Sequence, residues 1–202
     1  MKLGLLTDIH EHLEHLGTAL NRFGKEKVDH VVVIGDVFEM GERIEETCTM
    51  LSKVGAVGVW GNHDFGLSFE PTEEMLATYP TVVTEFMTSL QPRLDINGCH
   101  FTHVEPWLNP MDLADLWYFD GPPDEHRKLD RIFNAVPNRV MFVGHYHKWL
   151  LATPSGIEGW KGDCEVRLDE DDRYFVVVGA LCDGQYGIFD TGTSELVPFN
   201  EK

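Results

Sequence analysis

The amino-acid sequence predicts an α/β fold in a single domain spanning 1–202, and three observations carry that expectation. Short apolar runs alternate with amphipathic segments through the first half, and each run ends at a polar motif, the pattern of strand-loop-helix units. After Pro80 the texture changes to strand-like runs separated by glycine and acidic turns. At 202 residues, with 43% hydrophobic and 25% charged side chains, the chain can bury an ordinary core without a second domain.

Leu3 to Leu6, Val31 to Ile34 and Val57 to Trp60 are the first three predicted strands. The middle one is dense in β-branched residues, as expected of a strand covered on both faces. Between the first two, Leu13, Leu16, Leu20 and Phe23 recur at three-to-four spacing and put one apolar helical face over the sheet, with Gly24 suited to the helix end. A second helix is predicted over Glu42 to Lys53, with Ile44, Met50 and Leu51 buried. The opening therefore reads β-α-β-α-β.

Asn97-Gly98 readily takes the positive φ angles of a tight turn, so Leu94 to Ile96 and Cys99 to Thr102 become the arms of a hairpin. Pro106 to Val136 is rich in turn formers and reads as helix in pieces, ending before Pro137; Val140 to Val143 is another buried strand. Strands Trp149 to Thr153, Glu165 to Leu168, Tyr174 to Val178 and Tyr186 to Phe189 follow. Asp169-Glu170-Asp171-Asp172 lacks the alternating ligand spacing of a calcium loop and reads as a solvated turn.

Composition excludes several function classes. Sixteen basic against 34 acidic residues give a net charge of −18, which opposes attraction to nucleic acid or an anionic membrane. Two bound divalent ions would cancel about four of those charges and let the site attract phosphate. Cys48, Cys99, Cys164 and Cys182 have no paired spacing, so no disulfide scaffold is expected. The N-terminus turns polar at Thr7-Asp8, and no apolar run approaches the roughly 18 residues of a membrane span. A cytoplasmic location is the expectation.

Chemistry concentrates in Asp8-Ile9-His10, Gly35-Asp36, Gly61-Asn62-His63-Asp64 and Gly144-His145-Tyr146-His147, each directly after a predicted strand. Loops leaving strand ends form the ligand crevice of α/β sheets, so separated motifs can converge there. Oxygen and imidazole donors suit manganese, iron or zinc, and Asp36 is placed to bridge two ions. Asp8 with His10, and His145 with His147, point the same way if the backbone is extended; a turn can instead divide a pair between two ions.

These motifs resemble the calcineurin-like metallophosphoesterase superfamily, whose signature is D-x-H, G-D, G-N-H-D/E, a lone H and G-H-x-H. All five elements occur in order from Asp8 to His147. The resemblance implies a four-layer α-β-β-α sandwich with two facing mixed sheets. It implies two divalent ions, manganese first and iron, zinc or magnesium as alternatives. Asp8, His10, Asp36 and His147 would hold one; Asp36, Asn62, His103 and His145 would hold the other. His63 would be the catalytic group that stabilises the reacting phosphate and protonates the leaving oxygen, and Asp64 would orient His63 or a ligand histidine.

Two of these assignments need a choice. His103 is followed by Val104 where the family usually has glycine, and His100 competes; His103 lies nearer the strand end. His12 stands where the family often has asparagine, so it joins Asn62 and His63 as a substrate-binding candidate, whereas His15 reads as surface. The zincin spacings fail, because Glu14 and Glu11 occupy the positions where histidine would be needed. Trp107, Trp117, Tyr118 and Phe119 either stack on a nucleoside or pack helices onto the core or onto a second copy, which leaves a homo-oligomer open.

The stretch Gly35-Asp36-Val37-Phe38-Glu39-Met40-Gly41 lacks the arginine with which phosphoprotein phosphatases of the superfamily clamp phosphate. The short chain instead resembles the small bacterial phosphodiesterase branch, although Val178 to Asp183 replaces the Asn-Pro-Gly-Ser segment of that branch. A small phosphodiester or nucleotide is the expected substrate, a phosphomonoester or phosphoprotein the alternative. A metal-binding interaction scaffold is the reading from another class, and the presence of His63 argues against it.

Overall fold

The computed structural model describes residues 1–121, 123 and 126–201. Two mixed sheets face each other. The first contains β1 (Lys2–Leu6), β2 (His30–Ile34), β3 (Val57–Val59), β9 (Val166–Arg167), β11 (Gln185–Asp190) and β12 (Glu195–Asn200), in the order β3-β2-β1-β11-β12-β9. The second contains β4 (Leu94–Ile96), β5 (Cys99–Phe101), β6 (Val140–Val143), β7 (Leu150–Thr153), β8 (Gly156–Ile157) and β10 (Tyr174–Val177), in the order β4-β5-β6-β10-β7-β8.

Alternation along the strands builds the layers. In β2, Val32 and Ile34 enter the apolar layer between the sheets, while Val31 and Val33 pack under α1 (Leu13–Glu26) and α2 (Ile44–Lys53). In β6, Val140 and Phe142 face the same inter-sheet layer, and Met141 and Val143 pack under Leu129, Ile132 and Phe133 of α7 (His126–Ala135). The result is the four-layer α-β-β-α sandwich. Strands β1, β2 and β3 are mutually parallel, as are β5, β6 and β10. The loops leaving β1, β2 and β3 therefore emerge at one sheet edge, and those leaving β5 and β6 share an edge of the other sheet.

Several local expectations are corrected. Helix α1 continues past Gly24, and Lys27, at φ 54°, makes the left-handed turn that ends it; the N–H groups of Lys27 and Val28 donate to the carbonyls of Gly24 and Phe23. On α2 the buried stripe is Ile44, Thr47, Cys48 and Leu51, the three-to-four spacing of one helical face, so Met50 lies off it and is half-buried. Strand β9 is shorter than Glu165 to Leu168, and Trp60 leaves β3 to donate its backbone N–H to Gln91 and its indole N–H to Pro110. Pro106 to Val136 does contain separate helices, α6 (Leu113–Leu116) and α7; positions 122, 124 and 125 of that stretch lie outside the described residues. The segment 65–89 forms α3 (Phe65–Ser68), α4 (Glu73–Thr78) and α5 (Thr81–Ser89), none of which the sequence pattern singled out. No helix among the described residues is long and apolar enough to cross a membrane.

Candidate metal and active site

Each motif turns sharply as it leaves its strand. Asp8, His10, Asp36, His145 and His147 all have positive φ, between 44° and 71°, a conformation that costs non-glycine residues about 1–3 kcal/mol and concentrates at functional sites. The backbone at Asp8-Ile9-His10 and His145-Tyr146-His147 is thus turned, not extended. Accordingly His145 faces Asn62, whereas His147 faces Asp8. The motif glycines permit close approach: a Cβ on Gly61 would collide with the Asp36 carboxylate, and one on Gly144 with Thr7 and Asp8.

One donor cluster centres on Asn62. Its Oδ1 lies 3.0 Å from both His103 Nε2 and His145 Nδ1, and Asp36 Oδ2 lies 3.2 Å from His103 Nε2. Donors around an octahedral ion with bonds of about 2.1 Å stand about 3 Å apart, so this spacing fits a small divalent cation. The second region contains His10 and His147, with ring centroids 5.3 Å apart, and Asp8, whose fully buried Oδ1 makes no hydrogen bond although His147 Nε2 is 3.2 Å away. An orphaned buried carboxylate oxygen facing imidazoles is what a cation would satisfy. Asp36 Oδ2 stands between the regions, 3.9 Å from His10 Nε2.

Electrostatics agree with that reading. Burial alone would depress His103, but the charge and hydrogen bond of Asp36 outweigh it and lift its pKa to about 9. Burial likewise opposes ionisation of Asp36, yet His103 holds that carboxyl well below the usual range. The Asp8 carboxylate 3.2 Å from its Nε2, then Cys182, raise His147 to about 10. In these pairs a proton stands where a cation would neutralise the carboxylates. Burial, then the charge of His103, push His145 down to about 4, which keeps it in the neutral form that a cation requires.

The cleft above these donors has a volume of about 490 Å3 and is lined by the candidates His10, Asp36, Asn62, His63, His145 and His147. Asp8 and His103 lie fully buried behind it. His100 does not reach the cleft; its Nδ1 contacts Asp95 Oδ1 at 3.0 Å across the hairpin, which leaves His103 as the histidine of this region. His12 is also turned away: it caps α1, accepting the N–H of His15 on Nδ1, and stacks on the His15 ring at 3.9 Å. It is not among the residues lining the cleft.

Asp64 is a further correction. Its Oδ1 accepts the N–H groups of Val37 and Phe38, and its Oδ2 accepts that of Gly61, each at 2.9 Å. It therefore fastens the loops carrying Asp36 and Asn62 and does not orient His63. Burial, then the charge of Asp36, raise its pKa to about 6. The group near His63 is instead Glu39, whose Oε2 lies 2.8 Å from His10 Nδ1 and 3.7 Å from His63 Nδ1.

Glu39, Trp117 and Cys182 complete the cleft lining; Trp117 was one of the aromatic stacking candidates, whereas the motif pattern did not reveal Glu39 or Cys182 as site residues. Trp117 is 55% exposed with its ring 5.3 Å from that of His63; Phe119, 64% exposed, lies beside His145. Trp107 alone of that aromatic stretch is committed to packing, with Tyr118 at its edge and Arg131 over its ring.

A profile for the calcineurin-like phosphoesterase superfamily domain matches residues 1–191. An uncharacterized protein of Methanocaldococcus jannaschii is 23% identical over 206 residues, covering 92% of this chain and 78% of that protein. Among solved structures, a metallophosphoesterase from Sphaerobacter thermophilus superposes with a TM-score of 0.80 at 19% identity, over 100% of this chain and 88% of the other. An archaeal phosphodiesterase gives a TM-score of 0.58 at 17% identity over 100% of both chains. At those identities the superpositions establish the shared fold. The family match extends over all five motifs, so the chain belongs to the calcineurin-like phosphoesterase superfamily.

Proposed function

We propose that the chain acts as one domain, a two-metal phosphoesterase that hydrolyses small phosphodiesters or nucleotide phosphate bonds. The observation that carries this reading is the convergence of His10, Asp36, Asn62, His145 and His147 on one cleft, with Asp8 and His103 buried behind it. Asp8, His10, Asp36 and His147 would hold one ion, and Asp36, Asn62, His103 and His145 the other. When bound, the two cations neutralise phosphoryl oxygens and lower the pKa of the attacking water.

The remaining roles belong to side chains. The two histidines kept apart by the 145–147 turn fix the spacing of the donor regions, and Asp36 joins them. His63, half-exposed on the cleft wall, reaches the leaving oxygen and gives it a proton. Glu39, close to both His10 and His63, holds these rings in place. Trp117 lies on the His63 side, so it stacks on a flat leaving group; this favours aryl or nucleoside esters. Such chemistry relies on positioning and charge neutralisation and needs no covalent phosphoenzyme.

The test is His63→Asn with the metals loaded. Turnover of a chromogenic phosphodiester should fall about 100-fold or more while the bound-metal count stays at that of the parent. Equal turnover by the variant would remove His63 from the mechanism.

A further inference from the structure

A second cavity, of about 390 Å3, opens on the same side of the sandwich as the cleft. Strand β11 runs antiparallel to β1, and β7 runs antiparallel to β10, which is parallel to β6. Both β11 and β7 therefore begin at the sheet edges from which the metal-donor loops emerge. Lys148 and Trp149, just ahead of β7, and Gln185, the first residue of β11, line this cavity. Lys148 directly follows His147 in the chain, and Gln185 comes three residues after Cys182, so the two spaces are neighbours. The volume falls within the roughly 300–1,000 Å3 of small-molecule sites.

The wall suits a flat ring that carries negative charge. Trp149, 5% exposed, and the half-buried Trp160 meet edge to face with ring centroids 5.5 Å apart, and the Trp160 indole N–H donates to the Cys164 carbonyl at 2.7 Å, so both rings are fixed in advance. Leu150 and Ile157 extend the apolar surface. Lys148 and Lys161 stand exposed on the wall, and neither is engaged in an ion pair among the described residues; Glu158 is the one acidic residue beside them, so the cavity is locally positive in a chain of net charge −18. Trp149 Nε1 and Gln185 Oε1 are buried without hydrogen-bond partners among the described residues, and a Cβ on Gly179 would collide with both. The wall thus holds an unused donor and an unused acceptor side by side, where only glycine leaves them room. We propose that this cavity is a second ligand site, taking a small aromatic anion: a flat ring against Trp149 and Trp160, with its carboxylate, sulfonate or phosphate between Lys148 and Lys161. The rings supply contact area and the lysines select for charge.

The experiment titrates the full chain, metal-stripped and zinc-loaded, with naphthalene-1-sulfonate and with the uncharged naphthalene-1-methanol, and follows the indole N–H resonances by NMR. The expected result is a saturable shift of the Trp149 and Trp160 signals in both preparations, with that of Trp117 unmoved. The sulfonate should bind about ten-fold or more tighter than the alcohol, and the double variant Lys148→Ala/Lys161→Ala should abolish that difference while the alcohol still binds. No shift at Trp149 and Trp160, a shift at Trp117 in their place, or equal affinity for the two probes would overturn the assignment. Because the titration needs neither metal nor turnover, its failure and that of the two-metal reading are distinguishable. Once binding is seen, competition between the sulfonate and a diester substrate would assign the cavity to the far end of the substrate, and binding without effect on KM would assign it to a separate ligand; both outcomes uphold the site.

Discussion

Asp36 presents its two carboxylate oxygens to different partners: Oδ1 accepts the N–H of His63 at 3.0 Å, and Oδ2 lies 3.2 Å from His103 Nε2. That second contact gives the metal-free protein a defined pH response. His103 is lifted from an ordinary 6.5 to about 9, so the stabilisation it contributes is complete below pH 6.5 and is lost as pH rises toward 9. The melting temperature of chelator-treated protein should therefore decline across that window, and the decline should shrink once cations replace the proton; a flat profile without metal would contradict the pairing. Trp117 supplies a second test at this scale. Trp117→Ala should raise KM for an aryl or nucleoside ester by roughly five-fold or more, from about 1 kcal/mol of lost stacking, and leave an alkyl ester unaffected. Equal effects on both esters would assign Trp117 to packing. The metal-ligand candidates were legible because each follows a strand end in a recognisable spacing. Trp117 was legible only as one of four aromatic residues that could stack or pack, whereas Glu39 and Cys182 reach the cleft through tertiary folding and nothing near them in sequence announces it.

The loops that carry the site are held by buried carboxylates as well as by apolar contacts of Ile9, Val37 and Val104. Glu11 accepts the N–H groups of Glu39 and Gly41 on Oε1, at 2.9 and 2.7 Å, and that of Arg43 on Oε2 at 2.7 Å. It thereby fixes the loop between β2 and α2 that presents Glu39. In Glu11→Gln one oxygen becomes an NH2 group that cannot accept, leaving a backbone donor unsatisfied at a cost of about 1–3 kcal/mol. Hydrogen exchange at Glu39, Gly41 and Arg43 should accelerate in that variant; unchanged protection would show that the loop holds itself. Strands β1, β2 and β6 were readable because both faces are covered, which gives near-continuous apolar runs. Helix α4 was not, since it has no buried residues and hence no stripe. Strand β12 contains Pro198, which lowers its strand character; the proline is tolerated because β9 pairs only with Glu195 and Leu196.

At the scale of the whole molecule, the mixed sheets bring motifs spread from Asp8 to His147 to one place. β1, β2 and β3 contribute Asp8, Asp36 and Asn62 from one sheet, and β5 and β6 contribute His103 and His145 from the other. The site therefore depends on how the sheets face each other, a relation that local sequence does not encode and that only the family resemblance anticipated. The net charge of −18 has a related meaning, because several of its carboxylates converge with imidazoles around positions where cations fit. The most direct test of the account strips the protein with chelator and reloads it with manganese, magnesium, zinc or iron. Bound metal and hydrolysis of a chromogenic phosphodiester and its monoester are then measured together. Two ions per chain are expected, with diester turnover that appears with them and vanishes on chelation. Two bound ions with neither ester hydrolysed under any metal, or turnover that persists in chelator, would contradict it.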